Sequence, residues 1–492
     1  MVALAIWVVA IGLTVTVIVA MSERSRSRDV NNGILGSQRS IAGASAIRRA
    51  FATWNGMDNP PDGPVLGFVS GNAVIGECTH AVIICPSGGG KTRGSVYPSI
   101  AALGSTGKNN LVVTDPSLEI YATTRSYLEK HGYKVTLLDF DAPRQGARYN
   151  PLALVTELYA SGDTASAEAR AREIGATLFP ATGGENDVFV NAAAGAFSAV
   201  SFYIATSPDV PDGKRNIWSC VKTVLEGTRG DASALKSWIV GMGADSPAMS
   251  MAASFLSSQG KMESSILSTL HEGFQPFTSL NMRYLTSASD LDIDEMIEGK
   301  TAVFLHTLAP GSPTNRIAAL FFAQQWAETQ RLGKRRGLRP TWVIGDEWHS
   351  IPRFDLVHAV ENARKYSLHY VMYLQSLSGL DQYKTTKEDG KDAILANCDI
   401  KAIGRAGSDQ DARYFEALSG YRTVRSRSTN ATRGTRGSSS EGFSEQKVPV
   451  WPMAKIMDRD PSDGVLVVRA ATNGRDSGRF EIPYRQAGDT FV

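Results

Sequence analysis

Short apolar runs alternate with helical stretches in the first third of the chain. Residues 81–85 form a short continuous apolar run, as in a strand that is buried on both faces of a sheet, and residues 110–116 and 133–140 are also strand-like. Helical spacing separates these runs, at residues 93–103 and 119–131. The alternation predicts βαβ units and a parallel sheet.

The pattern then changes to helices for more than a hundred residues. Residues 154–280 are rich in Ala, Ser, Met and Leu at helical spacing. Strand-like runs return later, at residues 301–308, 341–348, 368–375 and 399–405. We therefore predict one α/β domain, formed by residues 65–153 and 281–492 and interrupted by an all-α domain at residues 154–280.

The amino-terminal residues 1–21 contain an apolar run without a charged side chain. A helix of this length spans about 30 Å, the thickness of a bilayer core. Arg24, Arg26 and Arg28 follow, and basic residues flank the cytoplasmic side of membrane helices. We expect one transmembrane anchor with the amino terminus outside and the bulk of the chain in the cytoplasm, joined by a linker at residues 22–64. A cleaved signal peptide is less favoured, because no basic segment precedes the run.

Composition adds few constraints on the partners. With 492 residues the chain is long enough for two or more domains. Its 51 Lys and Arg against 49 Asp and Glu give a net charge of +2, which offers no argument for nucleic acid. The four cysteines form no C-x-x-C pair, which favours reduced thiols.

Two runs, residues 331–339 and 422–436, contain several basic residues and no acidic residue. They either contact phosphates or are solvated surface, and the second is expected to be a mobile loop.

Residues 85–92, "CPSGGGKT", are similar to the phosphate-binding pattern G-x-x-x-x-G-K-[ST], with Cys85 in the place of the first glycine. Glycines let the backbone curl until its N–H groups face a phosphate. Lys91 would reach the β- and γ-phosphates, and Thr92 would place its hydroxyl on Mg²⁺. A glycine-rich turn with a solvated lysine is the alternative. The predicted nucleotide-binding residues are Pro86, Ser87, Gly88, Gly89, Gly90, Lys91 and Thr92.

Two adjacent carboxylates, Asp346 and Glu347, follow the apolar run "TWVIG". Such a pair at the end of a buried strand is costly without a counter-ion. In an ATPase, Asp346 would hold Mg²⁺ and Glu347 would activate the attacking water, whereas the alternative is an acidic helix cap. Gln375 ends the next strand and would touch the γ-phosphate or its water. The pattern predicts hydrolysis of ATP with Mg²⁺, which requires Lys91 and Asp346 to meet in the fold.

These motifs, in this order, resemble the type IV secretion coupling proteins, the membrane-anchored TraG/TraD-type ATPases of bacterial conjugation. That family belongs with the FtsK/HerA-like P-loop translocases. The resemblance begins near residue 67 and extends to the carboxyl terminus. It is carried by "PSGGGKT", "VVTDPSLEIYATT", "RYNPLALV" and "WVIGDEWHSIPRFDLVHAVENARKYSLHYVMYLQ". It implies a RecA-like P-loop domain with an inserted all-α domain.

The resemblance also implies a function. Six subunits would form a ring at the bacterial inner membrane, recruit relaxase-bound DNA or effector proteins, and pass them to a secretion channel by hydrolysing ATP. Such ATPases use an arginine from a neighbouring subunit, and Arg405 is the candidate. Ser117 and Leu118 stand where the family has Lys-Gly, so roles for Asp115 and Glu119 stay open.

Two alternatives share the fold. One is an FtsK-like pump for DNA segregation, which would usually carry several membrane spans and a carboxyl-terminal winged-helix reader. The other is a substrate receptor that does not hydrolyse ATP. The presence of Lys91, Thr92, Asp346, Glu347 and Gln375 argues against the receptor.

Overall fold

The computed structural model describes residues 43–57, 59–334, 337–385, 389–431, 439–460, 463–471 and 477–484. The predicted membrane anchor at residues 1–21 lies outside the described residues.

Most strands belong to one mixed sheet. The described strands are β1 (Ala52–Trp54), β2 (Val65–Val69), β3 (Asn72–Ile75), β4 (His80–Ile84), β5 (Asn110–Thr114), β6 (Lys134–Asp139), β7 (Thr301–His306), β8 (Thr341–Gly345), β9 (Leu368–Leu374), β10 (Ile400–Ile403), β11 (Tyr421–Ala431), β12 (Ser439–Pro449), β13 (Val465–Arg469) and β14 (Gly478–Ile482). The main sheet has nine strands in the order β14-β13-β10-β4-β9-β8-β5-β7-β6. The strands from β10 to β6 are parallel, and β13 and β14 extend the sheet in antiparallel pairing. The predicted parallel α/β sheet is therefore confirmed.

Both faces of this sheet are covered, which explains the continuous apolar runs. In β4, Val82 and Ile84 pack into the hydrophobic core on one face, and Ala81 and Ile83 pack into the core on the other. The helices that cover the sheet or form the insertion are α1 (Ala44–Ala50), α2 (Tyr97–Ser105), α3 (Glu119–Lys130), α4 (Leu152–Ala160), α5 (Thr164–Leu178), α6 (Asp187–Thr206), α7 (Ile217–Gly227), α8 (Ser233–Val240), α9 (Pro247–Met251), α10 (Ala253–Leu256), α11 (Gly260–Gly273), α12 (Leu280–Leu285), α13 (Ile293–Glu298), α14 (Arg316–Gly333), α15 (Leu356–Asn362), α16 (Gly390–Ala396), α17 (Asp409–Ser419) and α18 (Met453–Met457).

Between β6 and β7 every described element is helical, and helix α6 lies at the centre of this region. Among the described residues, α6 is the one helix long and apolar enough to cross a bilayer. However, 67% of its apolar window is buried inside the protein. Its apolar surface is therefore explained by packing against the other helices.

Residues 148–152, "RYNPL", connect the helical region to helix α14 through hydrogen bonds. The Tyr149 hydroxyl donates a hydrogen bond to Gln324 Oε1 at 2.6 Å, and Gln324 Nε2 donates to the Pro151 carbonyl at 2.8 Å. Arg148 binds Asp290 at the exit from the helical region, with Nη2 and Oδ1 2.7 Å apart. The entry and exit of the helical region are thus tied to each other and to α14.

Replacing Gln324 by leucine is expected to lower the free energy of unfolding by about 2 kcal/mol, because it leaves two buried polar groups unpaired. Gln325 is an unusually close control. It is also fully buried, but neither atom of its amide finds a hydrogen-bond partner in the described part of the chain. Gln325→Leu should therefore be neutral or stabilising. Denaturant unfolding of both variants checks this, and equal losses would contradict the role assigned to Gln324.

Two sequence expectations need correction. Residues 22–64 were expected to be a linker, but α1 and β1 lie within that range. Ile47 and Phe51 are buried, and the Phe51 ring contacts the Phe480 ring with centroids 4.9 Å apart, so this segment belongs to the α/β domain.

The expected mobile basic loop begins as a hairpin, in which β11 and β12 pair from Tyr421 opposite Pro449 to Ala431 opposite Ser439. The two strands are paired through hydrogen bonds between backbone groups, which form whatever the side chains are. A segment of polar composition can therefore still form a hairpin.

Candidate nucleotide-binding site

The glycine-rich loop curls directly after strand β4. Gly88 and Gly90 have φ values of +74° and +75°, a left-handed conformation that glycine adopts readily. The Gly89 N–H donates to the Pro86 carbonyl at 3.1 Å, and the Gly94 N–H donates to the Gly90 carbonyl at 2.7 Å. A π-helical turn, Thr92–Val96, then leads into α2. The loop therefore stands at the amino-terminal end of a helix, where anions are favoured.

Cys85 fits the place of the missing glycine because its side chain points into the core. It is fully buried, and its Sγ lies 3.5 Å from the Gly89 carbonyl oxygen. Burial raises the pKa of the Cys85 thiol to about 11, so the group is neutral at ordinary pH. Gly404 provides the space, because a Cβ on it would lie 3.0 Å from Cys85 Sγ. This departure from the pattern leaves the curled loop intact.

Lys91 and Asp346 are in contact. Lys91 Nζ lies 2.9 Å from Asp346 Oδ1, and the two side chains are 9% and 10% exposed. The two groups therefore form a nearly buried ion pair, and neither atom has a hydrogen-bond partner among the described residues. The meeting of these two residues, which the ATPase interpretation required, is confirmed.

The order of the strands brings the other predicted residues to the same edge of the sheet. Strand β9 lies between β4 and β8, so Gln375, which follows β9, lies at the same edge of the sheet as the loop and the acid pair. Gln375 Nε2 donates to Glu347 Oε1 at 3.1 Å. On the other side of β8, the Thr114 hydroxyl donates to the Asp346 carbonyl at 2.7 Å.

A cavity of about 370 Å³ opens between the loop and the acid pair, within the range of small-molecule sites. It is lined by Ser87, Gly88, Gly89, Gly90, Lys91, Thr92, Arg93, Tyr97, Ser117, Glu119, Asp346 and Glu347. Arg93, Tyr97 and Ser117 were not predicted. Arg93 and Tyr97 follow the loop in sequence and are four residues apart, a spacing that places two side chains on the same face of a helix. That spacing would have allowed them to be predicted as a pair.

The "DPSLE" segment has a divided role. Asp115 is fully buried, and its Oδ2 accepts a hydrogen bond from the Tyr121 N–H at 2.7 Å, which caps the start of α3. Burial raises the pKa of Asp115. Leu118 adopts a φ of +60°, a left-handed conformation that is uncommon for a residue with a side chain. Ser117 and Glu119 line the cavity, so Asp115 is structural whereas Glu119 faces the site.

Arg405 lies two residues beyond β10, which pairs with β4 so that Ile403 is opposite Ile84. Burial raises the pKa of the Cys85 thiol, and the positive charge of Arg405 lowers it by a smaller amount. Arg405 does not line the cavity. It lies near Cys85, at the start of the phosphate loop of the same chain.

The first basic run is largely structural. Arg331 pairs with Glu328 and with Asp294, the latter at 2.5 Å, and Arg339 Nη1 donates to the Gly107 carbonyl at 2.6 Å. Both arginines precede β8 and so lie at the amino-terminal edge of the sheet, away from the cavity. For these two arginines the contacts within the protein indicate a structural role, rather than either of the two alternatives weighed from the sequence.

Known proteins are similar to this chain in sequence or in fold. A family model described as "Type IV secretory system Conjugative DNA transfer" matches residues 41–453. Protein VirD4 of Rhizobium rhizogenes is 22% identical over 422 residues, which are 83% of this chain and 60% of that protein. The chain therefore spans about three fifths of the length of this curated relative.

Solved structures of the conjugative coupling protein TrwB have the same fold. TrwB in complex with the GTP analogue GDPNP superposes with a TM-score of 0.57 at 14% identity, covering 92% of this chain and 95% of TrwB. TrwB in complex with ADP and Mg²⁺ gives 0.55 at 12% identity, covering 93% and 96%. The family match spans most of the sequence, from before α1 to the beginning of α18. This chain belongs to the type IV secretory system conjugative DNA transfer family, that of the type IV coupling proteins.

Proposed function

We propose that this protein is a membrane-anchored ATPase that recruits relaxase-bound DNA or effector proteins to a type IV secretion channel and hydrolyses ATP to drive their transfer. The observation that carries the ATPase proposal is the contact of 2.9 Å between Lys91 and Asp346 at the mouth of a curled glycine loop. Family membership supports the coupling role.

The cavity is suited to a nucleotide with Mg²⁺. Lys91 Nζ and Asp346 Oδ1 are buried without hydrogen-bond partners among the described residues, so both have unused bonding capacity. The loop N–H groups and Lys91 would bind the phosphates. Thr92 and Asp346 line the cavity and would hold Mg²⁺, whose charge would neutralise the phosphate oxygens. TrwB, with the same fold, has been solved with ADP and Mg²⁺.

Glu347 is the proposed general base. Its carboxylate lines the cavity and would accept a proton from the attacking water. Gln375 holds one oxygen of that carboxylate at 3.1 Å and would orient it towards the water. Arg405 would add positive charge from beside the phosphate loop.

The assembly is also a proposal. Six subunits would form a ring at the bacterial inner membrane, anchored by residues 1–21, with the channel components as partners. The second basic run would contact DNA phosphates without regard to sequence. The segregation pump and the receptor without hydrolysis remain the alternatives.

Crosslinking of the full-length chain in its native cell tests the role, with nucleic acid and protein scored separately. We expect secretion-channel proteins together with DNA or a cargo protein, because a coupling protein must touch both the channel and the cargo. Lys91→Ala is the control and should keep these crosslinks, since its change is confined to the nucleotide cavity. Recovery of DNA without any channel protein would support the segregation pump instead.

A further inference from the structure

Glu347 has a backbone conformation that needs outside support. Its φ of +49° and ψ of +52° are left-handed, a conformation that is strained for a residue with a side chain. Such a conformation persists where the surrounding structure fixes it. The neighbours that hold the turn after β8 therefore also determine where the Glu347 carboxylate stands.

Part of that support is local. The Ser350 N–H donates to the Glu347 carbonyl at 2.8 Å, closing the turn. The Trp348 ring is fully buried and lies over Gly345, where a Cβ would come within 2.1 Å of the ring. These contacts shape the turn, and Trp348 also packs against Tyr370 of β9, with ring centroids 5.9 Å apart. Just beyond the turn, Gln382 Nε2 donates to the Ile351 carbonyl at 3.0 Å, whereas Ser350 itself is attached to the domain by another residue.

Asn315 makes that attachment. It is fully buried just before α14, and its Nδ2 donates to the Ser350 carbonyl at 2.9 Å. The same amide group donates to the carbonyls of Leu308 at 2.9 Å and Ala309 at 3.3 Å, and its Oδ1 accepts from the Leu308 N–H at 2.9 Å. The hydroxyls of Thr307 and Ser350 lie 3.2 Å apart and add a second link. The turn is thereby tied to the loop after β7 and to the start of α14.

The two adjacent acids thus have separate anchors. The Asp346 carbonyl is held by Thr114 from β5. The turn that begins at Glu347 is held at Ser350 by Asn315, and the Glu347 carboxylate accepts a hydrogen bond from Gln375. Asn315 does not line the cavity. Its loss should therefore disturb the orientation of Glu347 and leave the groups that bind phosphate and Mg²⁺ in place.

We propose that Asn315, assisted by Thr307, is a positioning residue for the catalytic carboxylate of Glu347. The inference rests on the proposed ATPase function and deepens it. Asn315 does not line the nucleotide cavity and acts by fixing the turn on which Glu347 stands. A displaced general base slows the chemical step without weakening ground-state binding.

The test compares turnover with binding in the full-length protein. Asn315→Ala should lower kcat for ATP hydrolysis about 10- to 100-fold. Its Kd for a non-hydrolysable ATP analogue with Mg²⁺ should stay within about twofold of the wild-type value. Thr307→Val should show the same separation with a smaller fall in kcat. Gln325→Leu, which alters a buried amide of the same helix without a hydrogen-bond partner among the described residues, should change neither quantity.

An unchanged kcat in Asn315→Ala and Thr307→Val would overturn the proposal, as would parallel losses of kcat and binding. If Asn315→Ala does not fold, Thr307→Val decides alone, since it removes a single hydroxyl. Wild-type protein without ATPase activity would refute the proposed function and this inference with it. Wild-type activity that the two variants retain would refute only the role of Asn315 and Thr307.

Discussion

Replacing Lys91 by alanine is expected to lower ATP hydrolysis by about 10²- to 10³-fold, the effect of removing one preorganised charge from a phosphoryl-transfer site. The Lys91 ammonium is nearly buried at the cavity wall and lies against Asp346. Without it, the developing charge on the phosphates loses its nearest cation. The buried carboxylate of Asp346 also loses its partner, which is unfavourable in itself.

The measurement is steady-state ATP hydrolysis by purified full-length protein with Mg²⁺. Lys391→Ala is the matched control. Lys391 is also a buried lysine 2.9 Å from an aspartate, Asp381, but it does not line the nucleotide cavity. Its loss should affect stability more than turnover. Equal turnover in wild type and Lys91→Ala would show that the loop does not serve hydrolysis, and equal losses in both variants would indicate general damage.

Replacing Glu347 by glutamine is expected to leave nucleotide binding intact and to lower kcat about 10²- to 10⁴-fold, the range for loss of a general base. Glutamine keeps the shape of the side chain and can still pair with Gln375, but its amide cannot take a proton from water. Lys91 and Asp346, which would bind the phosphates and the metal, are unchanged.

Glu119 offers the control, because it is another carboxylate that lines the same cavity. Glu119→Gln removes the same charge from the cavity but no predicted base, so we expect its kcat to fall far less than that of Glu347→Gln. Analogue binding and single-turnover hydrolysis separate the two effects. Loss of binding in Glu347→Gln would place this residue in the metal site, and equal losses of kcat in both variants would indicate that only the total charge matters.

The strands of the sheet were predictable because burial on both faces leaves a local signature. The apolar runs at residues 81–85 and 110–116 became β4 and β5, whose side chains enter the cores on opposite faces of the sheet. The short elements α1 and β1 were missed, because a few residues carry too little periodicity and their burial depends on a distant partner, Phe480.

Within the site, the sequence allowed prediction of the residues that stand in an unusual local pattern. It did not allow prediction of the residues whose role depends only on their contacts in the folded chain. Lys91 and Glu347 stand out because a lysine after glycines and a carboxylate after a buried strand are unusual patterns. Asn315 and Thr307 are ordinary polar residues in sequence, and their contacts with Ser350 exist only after β7 and β8 have been placed.

The sequence by itself determined the local geometry of this protein: the curling glycine loop, the acid pair at a strand end and the amphipathic helices all follow from the conformational and burial preferences of neighbouring residues. Only the tertiary structure decided that β9 lies between β4 and β8 and that Lys91 touches Asp346. It also decided that Arg405 lies near the start of the phosphate loop, because β10 pairs with β4. The physical reason is that strand order and long-range contacts come from the packing of the whole chain, whose free energy is shared among many residues far apart in sequence.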